Sequence, residues 1–345
     1  MTLPPLPEHP RVSIVIPCRN EAGYITRCLA SLEGATLDRE KTTVLVCDGM
    51  SDDGTRQEVE GFTQRLPWMV MLDNTARTTP QALNLGLRYT PFDVGIILGA
   101  HAEVEPDFVV RNLAALAVDR TAGCSGGVIT NVYGDSTSRR IGAAMGHPFG
   151  VGNAHFRTGM RSGHVDTVAF GAYRREVFER IGWFNEQLVR NQDDEFNYRV
   201  TGAGFKIQLD PTIRSRYHVR ASYSKLFRQY RQYGYWKVYV NRLHGAITTV
   251  RQLVPAAWVA FLLAGALLSP LTDIFRWAFI GGLALYLTAS IACAWSTSKD
   301  MRDIPGIVLA FVVLHSAYGV GYWQGILRFV VLRGRPAESS TRTSR

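Results

Sequence analysis

Cysteine is scarce and unpatterned in this 345-residue chain: five residues, Cys18, Cys28, Cys47, Cys124 and Cys293, an odd number without metal-ligand spacing. That argues against a disulfide scaffold and a thiolate metal centre, and fits reduced cytosolic thiols. Residues 1–10 lack an apolar run, so no signal peptide is expected and the first 250 residues are expected to stay in the cytoplasm. No glycine-rich basic loop follows the first apolar strand, which speaks against a nucleotidyltransferase. Internal repeats and low-complexity blocks are missing too, apart from a polar tail at 333–345.

What is abundant is apolar sequence, 46% of the chain, and it is unevenly spread. Stretches 253–271, 277–295 and 304–332 run almost free of charge, each near or above the roughly 20 residues that a spanning helix needs. Three membrane segments are expected, the last of which, interrupted by Gly319, Gly321 and Gly325, can also be read as a hairpin. Three crossings would put Arg333, Arg335, Arg342 and Arg345 outside, against the positive-inside tendency. The net charge of +9 clusters before the first apolar stretch, with Lys225, Arg228, Arg231, Lys237 and Arg242 interleaved with Tyr223, Tyr230, Tyr233, Tyr235, Trp236 and Tyr239. That is an interfacial collar for anionic headgroups rather than a nucleic-acid surface. The expected division is a catalytic domain at 1–215, basic aromatic interfacial helices at 216–251, membrane segments at 252–333 and a tail at 334–345.

Upstream, short β-branched runs alternate with helical spacing. Val12-Ser13-Ile14-Val15-Ile16-Pro17 precedes a helix over 21–32, and Thr43-Val44-Leu45-Val46-Cys47 precedes the turn-rich Asp48-Gly49-Met50-Ser51-Asp52-Asp53-Gly54-Thr55. Strands at 69–72 and 94–98 flank a helix at 80–89, completing a βαβαβαβ alternation. Such a pattern predicts an α/β fold, a mostly parallel sheet with helices on both faces and ligands at the carboxyl ends of its strands. Asn20, Asp48 and residues 99–103 should therefore meet. A strand at 125–132, a long loop with one short helix over 135–165, helices at 176–181 and 195–202, and a short strand at 207–209 follow.

The run Gln192-Asp193-Asp194-Glu195-Phe196, flanked by Arg190 and Arg199, concentrates three carboxylates. Adjacent acids repel, and a carboxylate near cations and apolar walls can be tuned as a proton acceptor. Asp193 is the first candidate base and Asp194 the next, while Glu195 is expected to face elsewhere.

In order and spacing these segments resemble the inverting, GT-A type glycosyltransferases of family 2, and most closely the ExoA group of bacterial exopolysaccharide glucosyltransferases. The likeness covers nearly the whole chain. It implies a Rossmann-like GT-A fold, a UDP-sugar donor and a polyprenyl-linked saccharide acceptor. It also implies an inner (plasma) membrane location, multi-pass, with the catalytic domain cytoplasmic. Asp193 aligns with the family's catalytic base, and Asp48 with the aspartate that reads uracil. Pro17, Arg19, Asn20, Glu21, Arg77, Asn84, Ala100 and His101 would complete the donor site. Gln232-Tyr233-Gly234-Tyr235-Trp236 is similar to a Gln-x-x-Arg-Trp signature, with Tyr235 replacing arginine. It implies acceptor and diphosphate contacts from Gln232, Tyr235, Trp236 and Lys237, the indole stacking on a sugar.

The departure lies where relatives carry Asp-x-Asp, since this chain has Gly99-Ala100-His101. The resemblance implies a divalent metal, Mn²⁺ or Mg²⁺, and histidine shifts the preference away from hard Mg²⁺. His101 is the candidate ligand, with Glu103 and His218 as weaker partners; a direct imidazolium bond to phosphate is the rival role. Two other functions stay open at this stage, a nucleotide-sugar-binding membrane protein without turnover and a polyprenyl-phosphate hexose synthase.

Overall fold

Runs of Val, Ile and Leu at the start of the chain pair as parallel strands, because a strand covered on both faces must be apolar on both. In the computed structural model, which describes residues 2–152, 154–159, 161–219, 221–248 and 250–335, β1 (Val12–Cys18) leads to α1 (Tyr24–Glu33), β2 (Thr42–Asp48), α2 (Thr55–Thr63), β3 (Met69–Asp73) and α3 (Thr79–Tyr89). Next come β4 (Val94–Ile97), β5 (Ala102–Val104), α4 (Phe108–Val118) and β6 (Ala122–Val132). Helices α5 (Ser136–Met145), α6 (Pro148–Val151) and α7 (His155–Thr158) occupy the segment expected to be a loop with one short helix. Strand β7 (Gly163–Val165), β8 (Ala169–Arg174), α8 (Arg175–Ile181), α9 (Gln192–Gly202) and β9 (Lys206–His218) close the sheet. Its order is β3-β2-β1-β4-β8-β6-β9-β5, with β7 on β9.

Strands β1 to β4 pair in parallel, Val12 opposite Thr42 and Cys18 opposite Asp48. Antiparallel pairing begins at β8, where Val94 lies opposite Arg174. The sheet is therefore mixed, its parallel half carrying the strand ends expected to bind. Alternation along each strand splits the core between two faces. Ile14, Ile16, Val44 and Val46 pack with Ile25 and Leu29 of α1 on one face. Val15, Leu45 and Cys47 pack with Ala82, Leu83 and Leu87 of α3 on the other, where Phe178, Phe184 and Phe196 also lie. Gly86 brings α3 close to the sheet: a Cβ there would stand 2.5 Å from Val15 Cγ1 and 3.0 Å from Cys47 Sγ.

The chain divides into two compact units, one of Met1–Thr130 with His155–His218, the other of Asn131–Ala154 with everything described from Val219 onward. The second unit adds α10 (Tyr223–His244), α11 (Leu253–Leu268), α12 (Asp273–Thr297) and α13 (Ile304–Gly325), which runs on as a π-helix over Ile326–Val331. Three helical stretches, Val250–Leu268, Asp273–Thr297 and Met301–Val331, are long and apolar enough to cross a bilayer. Side chains such as Ile274, Leu285 and Trp295 are exposed, as lipid-facing residues are. The last stretch is continuous, not a hairpin. Its glycines are contact points: a Cβ at Gly319 would collide with the Pro255 carbonyl, and one at Gly321 with the Arg231 carbonyl. Of the arginines that bore on topology, Arg342 and Arg345 lie outside the described residues.

Candidate active site

The ends of β1, β2 and β3 each carry a non-glycine residue in the left-handed region, Asn20 at φ 53°, Met50 at 60° and Arg77 at 61°. Such residues cost about 1–3 kcal/mol each and persist where surrounding contacts over-determine them. Here the contacts join the loops. Asn20 donates its backbone N–H to Ser51 Oγ (2.9 Å) and its amide to Asp52 Oδ1 (2.9 Å), and accepts from the Asp52 N–H at 3.1 Å. Glu21 N–H reaches Thr55 Oγ1 at 2.8 Å. Burial raises the Asp53 carboxyl, but bonds from the Thr55 hydroxyl and the Thr55 and Ala22 N–H groups more than offset it and hold the group below its ordinary 3.8. Pro17 and Arg19 are half-buried beside these loops, and Arg77 is exposed after β3.

Asp48, the residue expected to read uracil, ends β2. It is fully buried, its Oδ1 accepts from the Ser51 hydroxyl at 2.5 Å, and its Oδ2 accepts from Ser51 N–H (3.0 Å) and Arg56 (2.7 Å). Arg56 also bridges to Asp73 at 2.9 Å. The carboxylate shapes the β2 turn. At this level the loop presents Gly49, over which Arg19 lies, with a Cβ at 49 only 3.2 Å from Arg19 Cβ.

After β4 the chain turns through 98–101. A Cβ at Gly99 would sit 3.2 Å from the ring of Phe170, itself at φ 50°. Ala100 is buried in the core. His101 Nε2 lies 2.5 Å from Glu21 Oε2, and His218 Nε2 lies 2.5 Å from Glu103 Oε1. The register Ala102 opposite Tyr217 brings these two strands together, and the Tyr24 ring lies 4.4 Å from His101 and 5.9 Å from His218. The expected metal-site residues are thus neighbours arranged as two imidazole–carboxylate pairs. Among the described residues no three His, Cys, Asp or Glu side chains gather as a ligand set.

On the other side of the sheet, α9 begins at Asn191, another left-handed residue, and puts Asp193, Asp194 and Glu195 in its first turn, where the helix dipole favours negative charge. Glu195 is buried and doubly bonded to Arg199 at 2.8 and 3.0 Å, while Arg199 also donates to the Ile181 and Trp183 carbonyls. Asp193 is exposed and Asp194 half-buried. Beneath them Tyr173 donates to Asn197 Oδ1 at 2.8 Å, and Asn197 donates to Thr167 Oγ1 at 3.0 Å. Burial pushes the Tyr173 hydroxyl well up, with the charges of Cys124 and Asp193 adding to it.

Asn84 is another of the residues expected at the donor site. It is buried against the segment before α9, its amide donating to the Phe184 carbonyl (2.9 Å) and Glu186 Oε1 (2.8 Å) and its carbonyl accepting from Phe184 N–H (3.0 Å). Tyr24, Arg56, Tyr173 and Asn197 were not singled out from sequence. Arg56 alone had a local signal, standing directly after the Asp48–Thr55 turn at the start of α2.

The acceptor-side residues Gln232, Tyr235, Trp236 and Lys237 lie on α10 in the second unit. Trp236 is fully buried and Lys237 nearly so, so the indole is a packing residue here and not an open platform for a sugar. The cause is close approach of helices: a Cβ at Gly234 would strike the Tyr318 carbonyl, and the Tyr235 ring packs 4.7 Å from Phe329.

Comparison with known proteins matches residues 13–182 to the model "Glycosyl transferase family 2". The chain is 30% identical over 322 residues to "Succinoglycan biosynthesis protein ExoA" of Rhizobium meliloti, covering 92% of this chain and 95% of that protein. It is 29% identical over 231 residues to a dolichyl N-acetyl-alpha-D-glucosaminyl phosphate 3-beta-D-2,3-diacetamido-2,3-dideoxy-beta-D-glucuronosyltransferase of Methanococcus voltae, covering 65% and 71%. Among solved structures it resembles the mannosyltransferase PcManGT from Pyrobaculum calidifontis, in complex with GDP-Man and Mn²⁺. The TM-score is 0.61 at 19% identity, over 92% of this chain and 89% of that one. The fold is GT-A.

Proposed function

The chain belongs to glycosyl transferase family 2, and we propose that it moves a hexose, glucose, from a UDP-sugar to a hydroxyl of a polyprenyl-(di)phosphate-linked saccharide, inverting the anomeric carbon. The observation that carries this reading is the first turn of α9. Glu195 is held by Arg199, and Asp193 stands open to solvent beside it. Asp193 takes the proton from an acceptor hydroxyl as that oxygen attacks the anomeric carbon and the bond to the diphosphate breaks on the opposite face. Attack opposite the leaving group turns an α-linked donor into a β-linked product. General base catalysis of this kind contributes roughly 10²- to 10⁴-fold.

The donor side lies at the ends of β1 to β4, with Arg19 and Arg77 supplying positive charge for the diphosphate. His101 and Glu21 act there as a pair. Mn²⁺ or Mg²⁺ belongs to the family expectation, and His101 would be the protein group nearest to an ion that the donor diphosphate also ligates. Apolar helices α11 to α13 and the basic aromatic α10 suit a multi-pass protein of the inner membrane with its sheet unit in the cytoplasm, close to a lipid-linked sugar. The functional division 1–215, 216–251 and 252–333 follows from that placement, with 334–345 as a tail.

A donor screen with the purified chain and polyprenyl-linked acceptors, with and without Mn²⁺ or Mg²⁺, tests the reading. UDP release that depends on UDP-glucose and lipid acceptor, with a β-linked product, supports it. Turnover of GDP-mannose alone, or acceptor-independent hydrolysis, overturns it.

A further inference from the structure

Helix α10 carries five cations, Lys225, Arg228, Arg231, Lys237 and Arg242, and no carboxylate of its own. All but Lys237 are exposed. A helix so charged does not cross hydrocarbon, where each cation is costly and needs a partner or a watery cavity; it suits an interface, with its rings at headgroup level. Helix α13 runs beside it in the same direction. Tyr223, at the start of α10, donates to the Gly306 carbonyl at 3.0 Å. Midway, a Cβ at Gly234 would collide with the Tyr318 carbonyl and one at Gly321 with the Arg231 carbonyl, so the two backbones touch. At the far end the Tyr239 ring lies 5.0 Å from Phe329, and Arg242 donates to the Phe329 carbonyl at 2.9 Å. Both helices have 22 residues, about 33 Å at the helical rise. Contact from first turn to last means that α13 cannot cross a bilayer without taking the charges of α10 with it.

Exposure separates α13 from the other two apolar helices. No residue from Ala310 to Tyr322 is exposed, so its apolar length is that of a helix covered by protein on every side. In α11 the buried residues are Ala256 and Val259, and in α12 Ser290 and Ala294. These parts meet α13: Trp258 Nε1 donates to Ser316 Oγ at 3.3 Å, and the Tyr286 hydroxyl pairs with His315 Nδ1 at 2.8 Å. Between them the chain folds out as a hairpin, with the Phe261 and Phe279 rings 5.4 Å apart. Leu263, Leu267, Ile274, Trp277 and Leu285 on this hairpin are 66–80% exposed. Leu285 and Leu287, roughly 200° apart around α12, are both exposed. Apolar side chains on opposite faces of one helix suit lipid rather than a single protein partner.

We infer that α13 does not cross the bilayer. It lies at the membrane surface with α10, the α11–α12 hairpin is the element that enters lipid, and the chain after α13 emerges on the side where α10 lies. Arg333 and Arg335 then share a side with the cations of α10, in line with the positive-inside tendency that three crossings would break. The inference rests on the membrane reading proposed above and narrows it to the hairpin.

The full chain with Cys293→Ser, whose other cysteines are buried, is produced in a bacterial inner membrane with a single added cysteine, Lys225→Cys, Arg335→Cys or Leu267→Cys. A membrane-impermeant maleimide is applied to intact and to broken spheroplasts. Expected is reaction at 225 and at 335 only after breakage. Reaction at 335 in intact spheroplasts with 225 protected means that α13 crosses, and overturns the inference alone. Reaction at both in intact spheroplasts supports the placing of α13 beside α10 but overturns the cytoplasmic location proposed above. At 267 a polarity-sensitive fluorophore on the membrane-bound chain should emit at the short wavelengths of a lipid environment. Water-like emission there overturns the membrane reading of the hairpin, and the inference with it, whatever 225 and 335 show.

Discussion

Replacing Asn84 by alanine separates the two roles open to this side chain. Asn84 is 3% exposed and makes three hydrogen bonds, two with the backbone of Phe184 and one with Glu186. Truncation leaves a buried N–H and a buried C=O without partners. At about 1 kcal/mol per bond, with the added cost of stranded groups, the loss is about 2–4 kcal/mol. For a unit of this size that corresponds to a fall in melting temperature of roughly 4–16 °C. Because the broken bonds hold the segment leading into α9, turnover should fall with it, while UDP affinity stays within about twofold of wild type, near the limit of detection. Differential scanning fluorimetry and calorimetric UDP titration on the same samples decide between the roles. An unchanged melting temperature with lost UDP binding would refute the structural assignment and restore a donor contact.

The His101–Glu21 pair should act as a unit. Single changes His101→Gln and Glu21→Gln each lower sugar transfer, and the double variant should be no worse than the poorer single, a coupling of about 1 kcal/mol or more; additive losses would contradict the pairing. Glu195→Ala removes the partner of a largely buried guanidinium and should destabilise the sheet unit by roughly 2–4 kcal/mol, read as a shifted urea midpoint, whereas a change confined to kcat would point to catalysis instead. Acid should weaken the fold in a defined window. Asp93 and Asp119 are pushed up by burial but pulled down further by bonds, chiefly from Arg11 and Thr121, and so lie below 3.8, while hydrogen bonding from Arg65 lowers Glu33. Depressed carboxyls contribute stability above their unfolded values that is lost as pH falls through the folded ones, so melting temperature should hold from pH 7 to 5 and drop below about 4. A flat profile down to pH 3 would contradict it.

The parallel strands and their ligand-bearing ends were legible because each strand is a short apolar run closed by turn residues. Asn20 and His101 were placed in one site for that reason. Glu195 was expected to turn away from the chemistry, and Arg199, one helical turn on, is the reason. What escaped notice depends on partners distant in sequence. The amide of Asn84 meets a carbonyl 100 positions away, which no local pattern encodes. Asp48 is the opposite case, because Ser51 and Arg56, which bond its carboxylate, are near neighbours in sequence. Glycines misled twice. Over 135–165 they suggested a long loop with one short helix, and in α13 a break, whereas Gly150, Gly319 and Gly321 let backbone approach backbone, and packing overrides their weak helical propensity.

The central claim is that Asp193 is the base. Wild type and Asp193→Asn, compared side by side for sugar transfer to a polyprenyl-linked acceptor and for UDP binding, test it most directly. The account predicts transfer reduced by about 10²-fold or more with UDP affinity unchanged. Near-normal transfer by Asp193→Asn would contradict it, and a large loss on Asp194→Asn in its place would move the base one residue along α9.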